Sequence, residues 1–156
     1  MDTNLDDIDY QILEMLQENG RISNADMARQ LNLAPSAVLE RVKKLEVKKV
    51  ITGYTAQINP AAVQQRLLAF ILIRSSEGFT CSSETAKSLA KIPEVQEVHH
   101  IAGEDCFLVK VRTADAAGLM ELMRTSLQKI PNIASTKTTI VLETVKEQLQ
   151  LIIPKY

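Results

Sequence analysis

The residues best suited to chemistry crowd into one stretch. Between Arg29 and Lys49 stand six bases, Arg29, Arg41, Lys43, Lys44, Lys48 and Lys49, against two acids, Glu40 and Glu46. Cations at this density suit phosphate. Val38, Val42 and Leu45 recur at i, i+4 and i+7, the buried stripe of an amphipathic helix. The other side of that helix then carries Ser36, Ala37, Glu40, Arg41, Lys43, Lys44 and Lys48. A helix of this kind can lie in the major groove of duplex DNA. There Ser36, Ala37, Glu40 and Arg41 would face the bases, with Arg41 the best candidate for bidentate contact to guanine, or else for phosphate or a pairing with Glu40, while Lys43, Lys44 and Lys48 suit phosphate or nothing. Charge alone fits a solvated helical hairpin equally well.

The surrounding elements decide how such a helix is held. Ser23 and Asn24 are good caps for a preceding helix, with Asp26 in its first turn and Met27, Ala28 and Leu31 on one face. The corner Asn32-Leu33-Ala34 supplies an asparagine, one of the few residues that tolerates a left-handed conformation. Pro35 fits the first turn of the next helix, beside Ser36 as an alternative cap. Two short helices at a tight corner make a helix-turn-helix, and Ser23 and Asn24 join the candidate DNA-binding residues. Upstream, Asp6-Asp7 can cap a helix with Ile8, Ile12, Leu13, Met15 and Leu16 as its apolar face, stopped by Asn19-Gly20. Downstream, Val50 to Ile58 is β-branched and partly alternating, and reads as a strand interrupted by Gly53. Three helices and a strand give a winged helix-turn-helix domain over 1–59, followed by a linker over 60–66.

The whole chain is 156 residues with net charge −1 and 46% apolar residues, enough for one or two small domains with real cores. The basic cluster is therefore local. Residues 2–18 oppose it with Asp2, Asp6, Asp7, Asp9, Glu14 and Glu18 and no base, which favours an oriented DNA contact over general stickiness. Two cysteines, Cys81 and Cys106, make neither a disulfide framework nor a zinc site. No signal peptide opens the chain and no apolar run reaches membrane-spanning length, so a cytoplasmic protein without a membrane partner is expected.

From Leu67 the texture changes. Leu67 to Ser75 is a near-continuous apolar run, a strand buried on much of both faces. A helix from Ser82-Ser83-Glu84 to about Ala90 follows, then strands at Glu94 to Ala102 and Cys106 to Arg112 around the turn Gly103-Glu104-Asp105. A helix over Ala114 to Lys129 and a long strand over Ile133 to Val145 come next, and the apolar piece Leu149 to Ile153 closes the chain. The sequence Ser88-Leu89-Ala90-Lys91-Ile92-Pro93 returns as Ser126-Leu127-Gln128-Lys129-Ile130-Pro131. In each copy a helix ends, proline prevents its continuation, and a strand begins. Two copies of a split βαβ unit make a ferredoxin-like βαββαβ domain over 67–156, an α+β fold with helices on one sheet face. The other face needs a cover, and a homodimer through the sheets is expected.

Taken together, the chain resembles the Lrp/AsnC family, the leucine-responsive or feast/famine regulators. The residues that carry the resemblance are Leu5-Asp6-Asp7-Ile8-Asp9 with Ile12-Leu13, Gly20-Arg21-Ile22-Ser23, Val38 through Glu46, Val50-Ile51-Thr52-Gly53-Tyr54, Asn59-Pro60, and Ala102-Gly103 before Phe107. The resemblance implies a bacterial or archaeal transcription regulator. It also implies homodimers that assemble to octamers or higher, and an amino-acid effector bound between dimers of the second domain. Three positions depart from the family's pattern. Asn32 stands where glycine is common at the corner, Lys49 where glycine usually precedes the strand, and Cys106 where many members have an acid.

For the effector, Ile101, Ala102, Gly103, Glu104, Asp105 and Cys106 form the candidate site. Turn N–H groups around Gly103 can bind a carboxylate, and Glu104, Asp105 or a turn carbonyl can accept from an ammonium. Thr136, Thr138 and Thr139 could add hydroxyls from a neighbouring subunit. Composition alone fits a plain hairpin turn as well. The effector is expected to be leucine, methionine or another apolar amino acid. No metal or other cofactor is expected, because His99 and His100 are strand neighbours pointing to opposite faces. Cys106 reads as a small buried hydrophobe rather than a nucleophile. Two other readings use the same fold: an enzyme like the siroheme decarboxylases, and an amino-acid sensor that does not bind DNA. The basic helix argues against both, and the chain is read as a non-enzymatic regulator.

Overall fold

The computed structural model describes residues 4–76 and 83–154. The chain divides into two compact units, one made of Met1–Gln57 and Glu147–Tyr156, the other of Ile58–Lys146.

In the first unit three helices, α1 (Asp7–Glu18), α2 (Asn24–Leu31) and α3 (Pro35–Val47), close around Ile12, Met27, Ala28, Val38, Val42 and Leu45. Each boundary follows from local chemistry. Asp6 caps α1 in a reciprocal box with Asp9, and Ser23 caps α2 by accepting from the Asp26 N–H at 3.0 Å. Asn32 takes φ 53° and ψ 46° at the corner, the left-handed conformation expected of it. Ala34 rather than Ser36 is the N-cap of α3, with Pro35 in the first turn.

The end of α3 explains the residues that follow. Lys49 sits at φ 59°, its N–H donating to the Glu46 carbonyl at 3.0 Å, while the Val50 N–H reaches the Leu45 carbonyl at 2.9 Å. These two bonds make a Schellman ending, in which the left-handed position is normally glycine. Val50 and Ile51 then pack into the helical core, and the Tyr54 hydroxyl donates to Glu46 at 3.0 Å. The strand expected over Val50 to Ile58 is therefore not formed. Its start is spent on closing α3, and the remainder finds no ladder partner among the described residues.

In the second unit β1 (Leu67–Ser75), α4 (Ser83–Ala90), β2 (Val95–His100), β3 (Phe107–Thr113), α5 (Ala116–Thr125) and β4 (Ile133–Ile140) build one sheet of order β2-β3-β1-β4, with every pairing antiparallel. The expected βαββαβ order is present. Ser82, expected to help open α4, lies outside the described residues. The repeat is structural too: Leu89 and Leu127 are both buried, and the Ile92 and Ile130 N–H groups make equivalent turns back to their carbonyls, at 3.2 and 3.1 Å.

The core is Ala69, Ile71 and Ile73 of β1 with Phe107, Val109 and Val111 of β3, under Leu89, Leu119 and Leu122 of the helices. The opposite face of β1 carries Phe70 and Leu72, each half-buried. Three expected spans are shorter, β2 among them, which covers Val95–His100 of the expected Glu94 to Ala102. The helix expected to Lys129 breaks after Thr125, whose hydroxyl bonds back to the Glu121 carbonyl at 2.7 Å, and resumes as a 3-10 turn. β4 stops at Ile140, because Val141 makes the last bond to β1.

The closing apolar piece, expected in the second domain, belongs to the first unit. There the Gln17 side chain pairs with the backbone of Leu151, accepting from its N–H at 2.7 Å and donating to its carbonyl at 3.0 Å.

Lys49 holds a left-handed conformation that costs a side-chain-bearing residue roughly 1–2 kcal/mol, part of which glycine's greater unfolded freedom offsets. Lys49→Gly should stabilise the chain by about 0.5–1 kcal/mol in denaturant unfolding. Destabilisation would show that the lysine side chain contributes more than the backbone strain costs.

Candidate nucleic-acid interface and effector loop

The sequence grouped nine residues as a DNA-binding set, and the structure sorts them. Val38, Val42 and Leu45 turn α3 inward, so Ser36, Glu40, Lys43 and Val47, at intervals of four, three and four residues, project directly away from the core. All four are exposed, as are Lys44 and Lys48, while Ala37 is half-buried on one flank. Glu40 and Lys44 pair at 3.2 Å in solvent, an interaction of small worth. Ser23 is committed to its cap, its hydroxyl donating to Asp26 at 2.6 Å, and Asn24 opens α2 partly exposed.

Arg41 differs from the expectation. It follows Val38 by three residues and precedes Val42, at the rim of the buried stripe, where the N-terminus of α1 meets α3. Its Nη1 donates to both Asp6 carboxylate oxygens, at 2.9 and 2.7 Å, and to Asp9 Oδ1 at 2.8 Å. The residue expected to reach guanine is thus held by two carboxylates. Opposite charge at hydrogen-bond distance is reason enough, and α3's own helical phase puts Arg41 on that side. The acidic run over residues 2–18 was the signal, but the partners of its acids follow only from how α1 crosses α3.

Electrostatics follows the geometry. The Asp9 N–H and then the Arg41 guanidinium hold the Asp6 carboxyl below its usual value, and Asp6 first, Asp9 second, raise Arg41 further. The Ser23 hydroxyl, followed by Arg29, lowers Asp26 in the same way.

In the second unit the turn Ile101–Cys106 is closed by the Ile101 N–H donating to the Cys106 carbonyl at 2.9 Å, and tied to β1 by the Cys106 N–H donating to the Ile73 carbonyl at 2.8 Å. Ala102, Gly103 and Glu104 are exposed, Ile101 and Asp105 half-buried, Cys106 buried. Gly103 has φ 154° and open space where a Cβ would stand, so a ligand can approach its backbone. The acids named as ammonium acceptors already face a cation: Arg74 Nη2 lies 3.0 Å from Glu104 and its Nε 3.6 Å from Asp105. Sequence reasoning missed Arg74, the lone charge closing the apolar run of β1. Cys106 is buried as expected, but it is disulfide-bonded rather than a simple apolar residue; Cys81 lies outside the described residues.

The three threonines do not share one face of β4. Thr138 is opposite fully buried Ile71, half-buried, and its hydroxyl reaches Met123 Sδ at 3.7 Å; Thr136 shares that face opposite Ile73. Thr139 pairs with Phe70 and points to the other face. The period of two in a strand separates what the sequence list grouped. His99 and His100 divide likewise, His99 bonding Glu97 at 3.0 Å and the His100 ring packing on Phe107 at 5.3 Å.

Comparison with known proteins matches residues 5–46 to an AsnC-type helix-turn-helix domain and residues 68–151 to an Lrp/AsnC ligand binding domain. The chain is 37% identical over 150 residues to the leucine-responsive regulatory protein of Escherichia coli strain K12, covering 96% of this chain and 92% of that protein. Among solved structures, a feast or famine regulatory protein from M. tuberculosis complexed with L-methionine has a TM-score of 0.87 at 35% identity, covering 96% of this chain and 99% of the other. A transcriptional regulator from Neisseria meningitidis, also complexed with L-methionine, has a TM-score of 0.86 at 28% identity, covering 95% and 96%.

The Asp6 pairing has a testable pH signature. A depressed folded value means that the carboxylate's stabilisation is full above its usual 3.8 and is lost as pH falls through the lower folded value. NMR titration should place the Asp6 midpoint below 3.8. Arg41→Gln should move it upward, while the part of the depression due to the Asp9 N–H persists. A midpoint unmoved by Arg41→Gln would mean that the ion pair is absent in solution.

Proposed function

Since the chain belongs to the Lrp/AsnC family of transcription regulators, we propose that it binds duplex DNA through α3 and adjusts that binding to an amino acid held at the Ile101–Cys106 turn. The observation that carries this reading is the exposed row Ser36, Glu40 and Lys43, flanked by Lys44 and Lys48, on the second helix of a helix-turn-helix. Such a row presents hydroxyl, carboxylate and ammonium groups to base edges and phosphates at once.

The effector proposed is an apolar amino acid, with methionine and leucine first. Two relatives of this fold were solved with L-methionine, and curated relatives are named leucine-responsive. Backbone N–H groups beside Gly103 would take the carboxylate, and Glu104 or Asp105 the ammonium, in exchange for part of their pairing with Arg74. Thr136 and Thr138 lie on one face of β4 and Thr139 on the other, so a hydroxyl from each face would need different neighbouring subunits. The half-buried Phe70 and Leu72 support a homodimer through the outer sheet face, with octamers or higher as the assembled form.

The protein is read as a cytoplasmic regulator without catalysis. No described helix is long and apolar enough to cross a membrane. The relatives are regulators by name, which favours this reading over a siroheme-decarboxylase-like enzyme or a sensor that ignores DNA.

Fluorescence anisotropy on duplexes enriched from a random pool tests the proposal. Binding should weaken steeply with salt, and Lys48→Ala should lower the slope by about one if that lysine meets a phosphate. L-methionine or L-leucine should shift the affinity by about 5–150-fold, the ordinary range of coupling between two sites. Salt-dependent binding that no amino acid alters would remove the effector part; failure to enrich any duplex would remove the DNA part.

A further inference from the structure

We infer that Arg41 is a positioning residue for DNA recognition: it fixes the angle at which α3 is presented, by gripping the capped end of α1, and does not itself read a base. The inference rests on the DNA-binding reading above and specifies how that site is assembled.

Three observations converge. The first is geometric: three contacts of 2.7–2.9 Å bring one guanidinium nitrogen onto two carboxylates, from the residue at the middle of α3 to the residues at the start of α1. The second is that the same carboxylates are already fixed. Asp6 accepts from the Asp9 N–H at 2.9 Å and Asp9 from the Asp6 N–H at 3.3 Å, so the anion pair is preorganised by the cap before Arg41 arrives. The third is exposure. The Arg41 side chain keeps 30% of its surface and Asp9 only 16%, so that pair is partly withdrawn from water and screened less, while Asp6 stays 55% exposed.

The alternative placement is costly. To reach guanine, Arg41 would have to leave both acids and abandon the cap's carboxylates beside a polyanion. Direct contacts between α1 and α3 are otherwise made by a small apolar core. A charge-assisted clamp at its edge sets the crossing angle with a directionality that apolar contacts lack. Base reading then falls to Ser36, Glu40 and Lys43, which face away from the core.

The decisive variant is Asp9→Asn in the full chain. Removing a negative charge from a DNA-binding domain ordinarily strengthens binding to a polyanion, and it would also leave Arg41 with Asp6 as its one ionised partner. The clamp gives the opposite sign. Asp9→Asn should weaken binding by about tenfold, the size of a lost charge-assisted contact. Arg41→Gln should weaken it by a similar factor, and Asp9→Asn/Arg41→Gln no more than either alone. All three losses should be uniform across single-base variants of the enriched duplex, whereas Ser36→Ala or Lys43→Ala should change the ranking of those variants. Arg41→Lys should restore part of the affinity. Each variant is assayed where circular dichroism shows it fully folded, so loss of fold is separated from loss of position. Tighter binding by Asp9→Asn, or an Arg41→Gln loss confined to one base-pair position, would overturn the inference and leave DNA binding intact. Failure of the wild type to enrich any duplex would instead overturn the DNA reading on which it rests.

Discussion

One nitrogen atom, Arg41 Nη1, meets three carboxylate oxygens, and the helical unit is arranged so that it can. Asp6 and Asp9 first satisfy each other's backbone N–H groups at the start of α1, which fixes two anions at a helix end where the dipole already favours them. Arg41 then joins that end to the middle of α3. The apolar contacts of Ile12, Val38 and Leu45 supply most of the cohesion, since burial is strong but has no direction. The ion pairs add direction. A helix that must enter a groove needs its angle defined as well as its burial, and the clamp supplies that definition without using any residue of the outward row.

The second unit is built on the other principle available to small domains, a sheet whose two faces are treated differently. Alternation along β1 places Ala69, Ile71 and Ile73 under the helices and Phe70 and Leu72 on the opposite face. The turn Ile101–Cys106 hangs from this sheet by main-chain bonds on both sides of β3's start, so its backbone is held while Ala102, Gly103 and Glu104 remain open. A turn anchored in this way can present N–H groups to a carboxylate without ordering a long loop first. Arg74, at the end of β1, holds Glu104 and Asp105 near the turn.

Much of this was legible in the residues. Asp6 and Ser23 as caps, Asn32 as a left-handed corner, and the repeated Leu-x-x-Ile-Pro endings follow from local chemistry, and local chemistry is what a sequence displays. The order of elements in the second unit followed from those endings. What was not legible was mostly non-local. Val50 to Ile58 has the composition of a strand, yet a strand exists only with a partner, and Val50 is drawn back to Leu45 instead. β4 was read too long because the sequence does not show where β1 begins to pair. The pairing of Arg41 with α1 was not legible because a list of bases carries no azimuth, and its acidic partners lie more than thirty residues away. Thr136, Thr138 and Thr139 were grouped by type although their alternation already separated them.

The central claim is that the outward row of α3 reads DNA while Arg41 stays with α1. A crystal structure of the full chain on an enriched duplex tests it most directly. Arg41 Nη1 should remain within hydrogen-bond distance of Asp6 and Asp9, with Ser36, Glu40 or Lys43 at the base edges. Arg41 found on a guanine, with Asp6 and Asp9 turned to solvent, would contradict it.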